Sequence, residues 1–149
     1  MKEQISIRSL EPGDIPAVYK LVRDLAIYEK AEEELVTTTE YYHETLLNGS
    51  WNAFVAEVKN EIVGTTIFYP IFSTWKGRIL YLEDFVVRSN FRRMGIGKRL
   101  FDNLLSYAQE NQFKGMRWQV LDWNESAISF YRSYHSKMEF DWVNCQLLL

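Results

Sequence analysis

Tyr81-Leu82-Glu83-Asp84-Phe85-Val86-Val87-Arg88-Ser89-Asn90-Phe91-Arg92-Arg93-Met94-Gly95-Ile96-Gly97-Lys98-Arg99-Leu100 joins an apolar run to a cationic, glycine-bearing turn and then to a helical repeat. The apolar run starts near Arg78 and reaches Val87, interrupted only by Glu83 and Asp84. A run of that kind predicts a central strand buried on both faces. Beyond the turn, Ile96, Leu100, Leu104 and Ala108 recur at helical spacing, so residues 95–110 read as an amphipathic helix. A strand leading through a glycine turn into a helix places the chain in the α/β class.

Working outward, residues 4–8 alternate like a strand, and Glu11-Pro12-Gly13-Asp14 supplies a turn and an N-cap. Ile15, Val18, Val22 and Leu25 then share one helix face. The acidic stretch Tyr28-Glu29-Lys30-Ala31-Glu32-Glu33-Glu34 lacks a period and reads as a loop. Thr37 followed by Glu40 has capping-box spacing for a helix over residues 38–47, which Asn48-Gly49 stops. Strands over residues 51–58 and 62–72 form a hairpin through Lys59-Asn60-Glu61, and Ser73-Thr74-Trp75-Lys76-Gly77 leads into the decisive strand. Past its helix, residues 115–121 alternate as a strand with Met116, Trp118 and Val120 on one face. Asn124 caps a short helix through Tyr131, and residues 142–149 read as a last strand. The order βααβββαβαβ predicts a mixed sheet with helices on its faces.

Composition narrows what such a chain can do. Its 149 residues suit one domain over residues 1–149, and 47% hydrophobic with 15% aromatic content supplies a core rather than disorder. A net charge of −3 disfavours a nucleic-acid partner, whose phosphates need a basic surface, and suits a cationic small molecule. The one cysteine, Cys145, excludes an intramolecular disulfide and a multi-cysteine zinc site. It reads as a buried hydrophobe in the last strand of a cytoplasmic protein. Met1-Lys2-Glu3-Gln4-Ile5-Ser6 lacks the apolar run of a leader, and no apolar stretch has membrane-spanning length. His43 and His135 have no metal-ligand spacing, so no metal is expected.

The turn itself has two readings. Gly95 and Gly97 open a helix, where unpaired backbone N–H groups and the positive end of the helix dipole receive phosphate oxygens, and Arg92, Arg93, Lys98 and Arg99 add charge suited to a pyrophosphate. Alternatively, the glycines make only a tight turn and the cations are solvated. Spacing removes two nucleotide motifs: a Walker loop needs glycine where Arg92 stands, and a dinucleotide fingerprint needs one where Leu100 stands.

Arg92-x-x-Gly95-x-Gly97 between a strand and a helix resembles the cofactor motif of the GNAT superfamily of N-acetyltransferases. Tyr28-Glu29, Trp75-x-Gly77, Tyr81-Leu82-Glu83-Asp84-Phe85, Trp123-Asn124-Glu125 and Phe130-Tyr131 are similar to its diamine (spermidine/spermine, thialysine) branch. The resemblance implies a GNAT-like α/β fold, with a mixed, mostly antiparallel central sheet flanked by about four helices. It also implies acetyl-CoA as co-substrate, a small amine as acceptor, and a homodimer. Cofactor contacts are implied at Phe85, Val86, Val87, Arg92, Arg93, Met94, Gly95, Ile96, Gly97, Lys98, Asn124 and Tyr131. Acceptor contacts are implied at Tyr28, Glu29 and Glu83, and Tyr131 matches the family's acid. After Tyr131 the chain departs from the branch, with Arg132-Ser133-Tyr134-His135-Ser136-Lys137-Met138 where a glycine is usual.

Chemistry agrees with a base and an acid. Alkylamines, with pKa near ~10.4, are protonated at neutral pH and must lose a proton before attacking a thioester. Adjacent strand residues point to opposite faces, so only one of Glu83 and Asp84 faces the acceptor unless a bulge intervenes. Glu83, sharing a face with Tyr81 and Phe85, is the expected base, directly or through water, and Asp84 is expected to be structural. Tyr131 is a phenol able to protonate the leaving thiolate. Two rival readings are a non-catalytic acyl-CoA-binding regulatory module and a protein or peptide N-acetyltransferase.

Overall fold

The computed structural model describes residues 4–149. Met1, Lys2 and Glu3, part of the segment read as lacking a leader, lie outside the described residues. A first compact unit runs to Trp118, and a second covers Gln119–Leu149.

The first unit holds β1 (Ile5–Ser9), α1 (Ile15–Tyr28), α2 (Thr39–Leu47), β2 (Asn52–Val58), β3 (Glu61–Ser73), β4 (Gly77–Val87), α3 (Ile96–Glu110) and β5 (Gly115–Arg117). The second holds α4 (Glu125–Arg132). The five strands are ordered β1-β2-β3-β4-β5. Pairing is antiparallel through β4 and parallel between β4 and β5. This is the mixed, mostly antiparallel sheet with four helices that the sequence predicts. No described helix is long and apolar enough to cross a membrane.

Local chemistry sets the hairpin. Lys59 and Asn60 both take positive φ, 51° and 62°, the two-residue turn whose twist matches paired strands. Strand β3 therefore starts at Glu61, one residue before the expected start.

Every residue from Ile62 to Phe68 on β3 is buried. Val18, Leu21 and Val22 of α1 belong to one cluster with Ala53, Val55, Ile67 and Val86. Ile96 and Leu100 of α3 form another with Ala56, Val58 and Val63. The expectation of two-faced burial thus falls to β3, the middle strand, rather than to β4. On β4 only Ile79, Leu80, Leu82 and Val86 are buried, because its outer neighbour β5 is short.

Three further expectations are corrected. The α2 cap is Thr38 rather than Thr37: Thr38 Oγ1 accepts from the Tyr41 N–H at 3.2 Å, while the Thr37 carbonyl accepts from the Tyr19 hydroxyl at 2.7 Å. Thr38 has the extended backbone of a cap residue, φ −129° and ψ 166°, so its hydroxyl is the one placed over the first turn. Strand β5 ends at Arg117, and Trp118 turns edge-on to Phe101, with centroids 5.6 Å apart. Residues 142–149 form no strand, and Cys145 among them is exposed, not buried. A strand pattern becomes a strand only with a neighbour to take its backbone hydrogen bonds, and no described strand pairs there.

Candidate active site

The glycine turn leaves β4 through a short 3₁₀ turn, Ser89–Phe91, and enters α3 at Ile96. Gly95 is the N-cap, with φ 79°, and no side chain caps the helix. That left-handed conformation favours glycine, and Arg93 shares it at φ 65°. The uncapped first turn presents N–H groups without intrahelical partners. Gly97 has a different reason to be glycine. A Cβ there would meet only Phe85 Cζ at 3.5 Å and Val87 Cγ2 at 3.8 Å, ordinary contacts that the fold tolerates. Around the turn, Lys98 pairs with Asp102 at 2.7 Å and Arg88 pairs with Glu61, while Arg93 and Arg99 have no ion pair among the described residues.

Sheet geometry adds a second feature. Strand β5 pairs with β4 only along Ile79, Leu80 and Tyr81. Strand β4 continues beyond it to Val87, paired with β3 through Phe85, Val86 and Val87. Those three residues lie on the stretch of β4 past its pairing with β5.

The carboxylates sit where the register breaks. Ile67 faces Asp84 and Phe68 faces Leu82, so Glu83 is the extra residue of a β-bulge. The strict alternation used to separate Glu83 from Asp84 does not hold across it. Glu83 is exposed, and its Oε2 accepts a 2.7 Å hydrogen bond from the Tyr69 hydroxyl. Asp84 is partly buried, and its carboxylate has no ion pair or hydrogen bond among the described residues. Burial first, then the charges of Glu83 and Glu29, push its pKa up to about 7. The Asp84 carboxylate thus lacks the ion pair or hydrogen bond that would support the structural role expected of it.

Glu29 follows α1, where its N–H donates to the Leu25 carbonyl at 2.9 Å, and burial raises its carboxyl above the usual range. Tyr28, the last residue of α1, is 40% exposed, and the Arg92 guanidinium lies 5.4 Å from its ring centroid. Tyr42 of α2 stacks edge-on with Tyr19 and Trp51, and burial, followed by the Asp84 charge, pushes its phenol up to about 12. Tyr69 and Tyr81 lie 5.5 Å apart, and both phenols are raised by burial; hydrogen bonding to Glu83 adds to the shift at Tyr69, and the Glu83 charge to that at Tyr81. Glu29, Glu83 and Asp84 thus form one electrostatically coupled acidic patch beside tyrosines. No group of the kind that holds a metal ion occurs among the described residues.

In the second unit Tyr131 is buried on α4, its ring 5.6 Å from that of Phe130. Asn124 is the α4 N-cap, its side chain accepting from the Ala127 N–H at 3.2 Å, as its position in the sequence predicts.

Sequence reading missed Asp84 as the strained carboxylate, and Tyr69 and Tyr42 altogether. The doublet Glu83-Asp84 in an apolar strand was the available signal. Nothing local marked Tyr69 or Tyr42 among nine tyrosines.

Residues 15–135 match the Acetyltransferase (GNAT) family. The chain is similar to the thialysine N-epsilon-acetyltransferase of Caenorhabditis elegans, at 32% identity over 129 residues covering 87% of this chain and 81% of that protein. The spermidine/spermine N(1)-acetyltransferase-like protein 1 of Homo sapiens is 30% identical over 144 residues, covering 88% of this chain and 20% of that one. Among solved structures, an aminoglycoside acetyltransferase from an uncultured soil metagenomic sample, in complex with sisomicin, superposes with a TM-score of 0.81 at 25% identity. That match covers 97% of this chain and 96% of the other.

Proposed function

For a chain that belongs to the acetyltransferase (GNAT) family and is an acetyltransferase, we propose that acetyl-CoA is the donor and a primary amine of a small cationic molecule is the acceptor. The reading covers a polyamine, thialysine or a related amino compound, and attack is direct, in a ternary complex. The observation that carries the acceptor class is the coupled patch Glu29, Glu83 and Asp84, with Asp84 titrating at about 7. Carboxylates that raise one another's pKa in a partly buried patch are stabilised by binding a cation.

The donor reading rests on the uncapped turn at Arg92, Arg93, Met94, Gly95, Ile96, Gly97 and Lys98, whose amides and cations suit a pyrophosphate. The stretch of β4 at Phe85, Val86 and Val87 beyond the end of β5 suits backbone contacts to the rest of the cofactor. Acetyl-CoA supplies the acyl group as a thioester. Tyr28 and Glu29 flank the acceptor, Glu83 takes the ammonium proton directly or through water, and Asp84 holds positive charge beside it. Tyr131 donates a proton to the departing thiolate, and Asn124 and Tyr131 complete the cofactor contacts. A one-domain homodimer in the cytoplasm is the matching organisation.

Steady-state assays of coenzyme A release, run with acetyl-CoA against spermidine, thialysine, ornithine, an aminoglycoside and a lysine peptide, test the reading. Turnover is expected with a small polycation. Glu83→Gln is expected to lower kcat about 10²-fold and Tyr131→Phe about 10-fold or more, with the Glu83→Gln loss shrinking at high pH as free amine accumulates. Binding of acetyl-CoA with no turnover across the panel would leave a cofactor-sensing module instead, and turnover confined to the peptide would move the acceptor class to proteins.

A further inference from the structure

Resting on Glu83 as the proton acceptor, we propose that Tyr69 is its positioning residue: the Tyr69 phenol donates to Glu83 Oε2 at 2.7 Å and orients the bulged carboxylate toward the acceptor amine.

An extra residue in one strand is released from the ladder's regular pairing, so its side chain is aimed by whatever it bonds. Glu83 has no cross-strand partner in the register, since Phe68 pairs with Leu82 and Ile67 with Asp84. It is also exposed, on a flexible side chain. A group in that situation samples several rotamers unless a directional contact selects one, and proton transfer needs the acceptor oxygen within hydrogen-bond reach of the amine or its bridging water. The bond from Tyr69 engages one carboxylate oxygen, Oε2, and orients Oε1 with it.

Tyr69 is suited to this by its own restraints. It sits on β3 opposite Tyr81, and the two rings lie 5.5 Å apart at 31°, so the phenol is carried on a packed ring rather than a mobile one. Burial and the bond to Glu83 both raise its pKa above the ordinary tyrosine value, so it stays a neutral donor throughout the pH range in which an amine is acetylated. The groups that act on this pair are Tyr81 and Asp84 on β4 and Tyr42 on α2, phenols or carboxylates all, and Glu29 after α1 acts in turn on Asp84. Among those groups Tyr69 is the one bonded directly to Glu83.

Tyr69→Phe removes only the hydroxyl and keeps the ring against Tyr81, so it separates the bond from the packing. With a small polycation acceptor and saturating acetyl-CoA, Tyr69→Phe is expected to lower kcat about tenfold, with the KM for acetyl-CoA unchanged. The pH profile of kcat/KM is a further readout, one that a purely structural role for Tyr69 would leave unchanged. In a Glu83→Gln background the same change is expected to add less than twofold. Thermal melting of each variant reports folding, and Tyr69→Leu, which loses the ring as well, reports how much is packing. If Glu83→Gln is impaired while Tyr69→Phe keeps the wild-type rate and pH profile, the positioning role falls and Glu83 stands. If the Tyr69→Phe and Glu83→Gln losses multiply in full, Tyr69 acts elsewhere and the proposal is overturned. If Glu83→Gln turns over like wild type, both assignments fall together.

Discussion

The Arg92 guanidinium, on the turn that opens α3, stands over the Tyr28 ring at the end of α1, 5.4 Å from its centroid. One residue of the turn proposed to hold the pyrophosphate thereby lies over one of the segment proposed to flank the acceptor. Cation–π contacts at exposed sites contribute about 0.5–1 kcal/mol. Tyr28→Leu is expected to weaken acetyl-CoA binding two- to fivefold in calorimetry, while Tyr28→Phe stays within the error of wild type. Equal losses in both variants would place the effect in the hydroxyl rather than the ring.

Gly64 and Gly97, which both approach Val87 of β4, should behave oppositely. A Cβ on Gly64 would lie 3.0 Å from Leu100 Cδ1 and 3.2 Å from the Val86 carbonyl oxygen, and the backbone cannot retreat cheaply. Gly64→Ala is expected to cost about 1–3 kcal/mol in denaturant unfolding. Gly97→Ala meets only ordinary contacts inside a helix and should leave the melting temperature unchanged or higher. On the proposed cofactor reading its expected defect is in acetyl-CoA affinity, at least tenfold, because the added methyl crowds the β4 side of the turn beside Phe85 and Val87.

Asp84 makes stability depend on pH in a defined direction. Its carboxyl is raised from 3.8 to about 7, chiefly by burial and then by Glu83 and Glu29. Between those values the folded chain binds a proton that the unfolded chain has lost, so stability falls as pH rises from about 4 to about 7 and is level above. Asp84→Asn is expected to raise the melting temperature at pH 8 and to leave it near wild type at pH 4. A cationic acceptor favours the charged carboxylate, so its binding to wild type near pH 7 should release a proton. Calorimetry in buffers of different ionisation enthalpy reads that release, which Asp84→Asn should abolish.

The opposite sign holds at Arg8. Its guanidinium bonds both Asp14 carboxylate oxygens, at 2.7 and 3.0 Å, and Glu57 at 2.9 Å, which holds Asp14 below the usual carboxylate range. That stabilisation is full above the ordinary aspartate pKa and is lost as pH falls through the lowered one. Asp14→Asn is expected to cost about 2 kcal/mol at pH 7 in urea unfolding, and the difference from wild type should narrow toward pH 2.

Particular elements explain why some of this was legible beforehand and some was not. The helix over residues 95–110 and the turn at Lys59 and Asn60 are specified by spacing and by backbone conformations that depend on a few adjacent residues. The choice of Thr38 over Thr37 as cap was not legible, because adjacent threonines offer the same capping oxygen and only the backbone conformation at Thr38 decides where the helix begins. The strand expected over residues 142–149 failed for a related reason: its alternating pattern states a capacity to pair, and no strand among the described residues pairs with it.

The sequence by itself determined the order of elements as far as α4, the family, and the glycine turn, since each resides in contiguous residues whose periodicity, conformational freedom and charge act locally. Only the tertiary structure decided which strand is buried on both faces, that a bulge frees Glu83 from alternation, that Tyr69 reaches it, and that Asp84 stands unpaired with its pKa raised. Those properties come from register, burial and charges brought together across α1, α2, β3 and β4, and no window along the chain contains them.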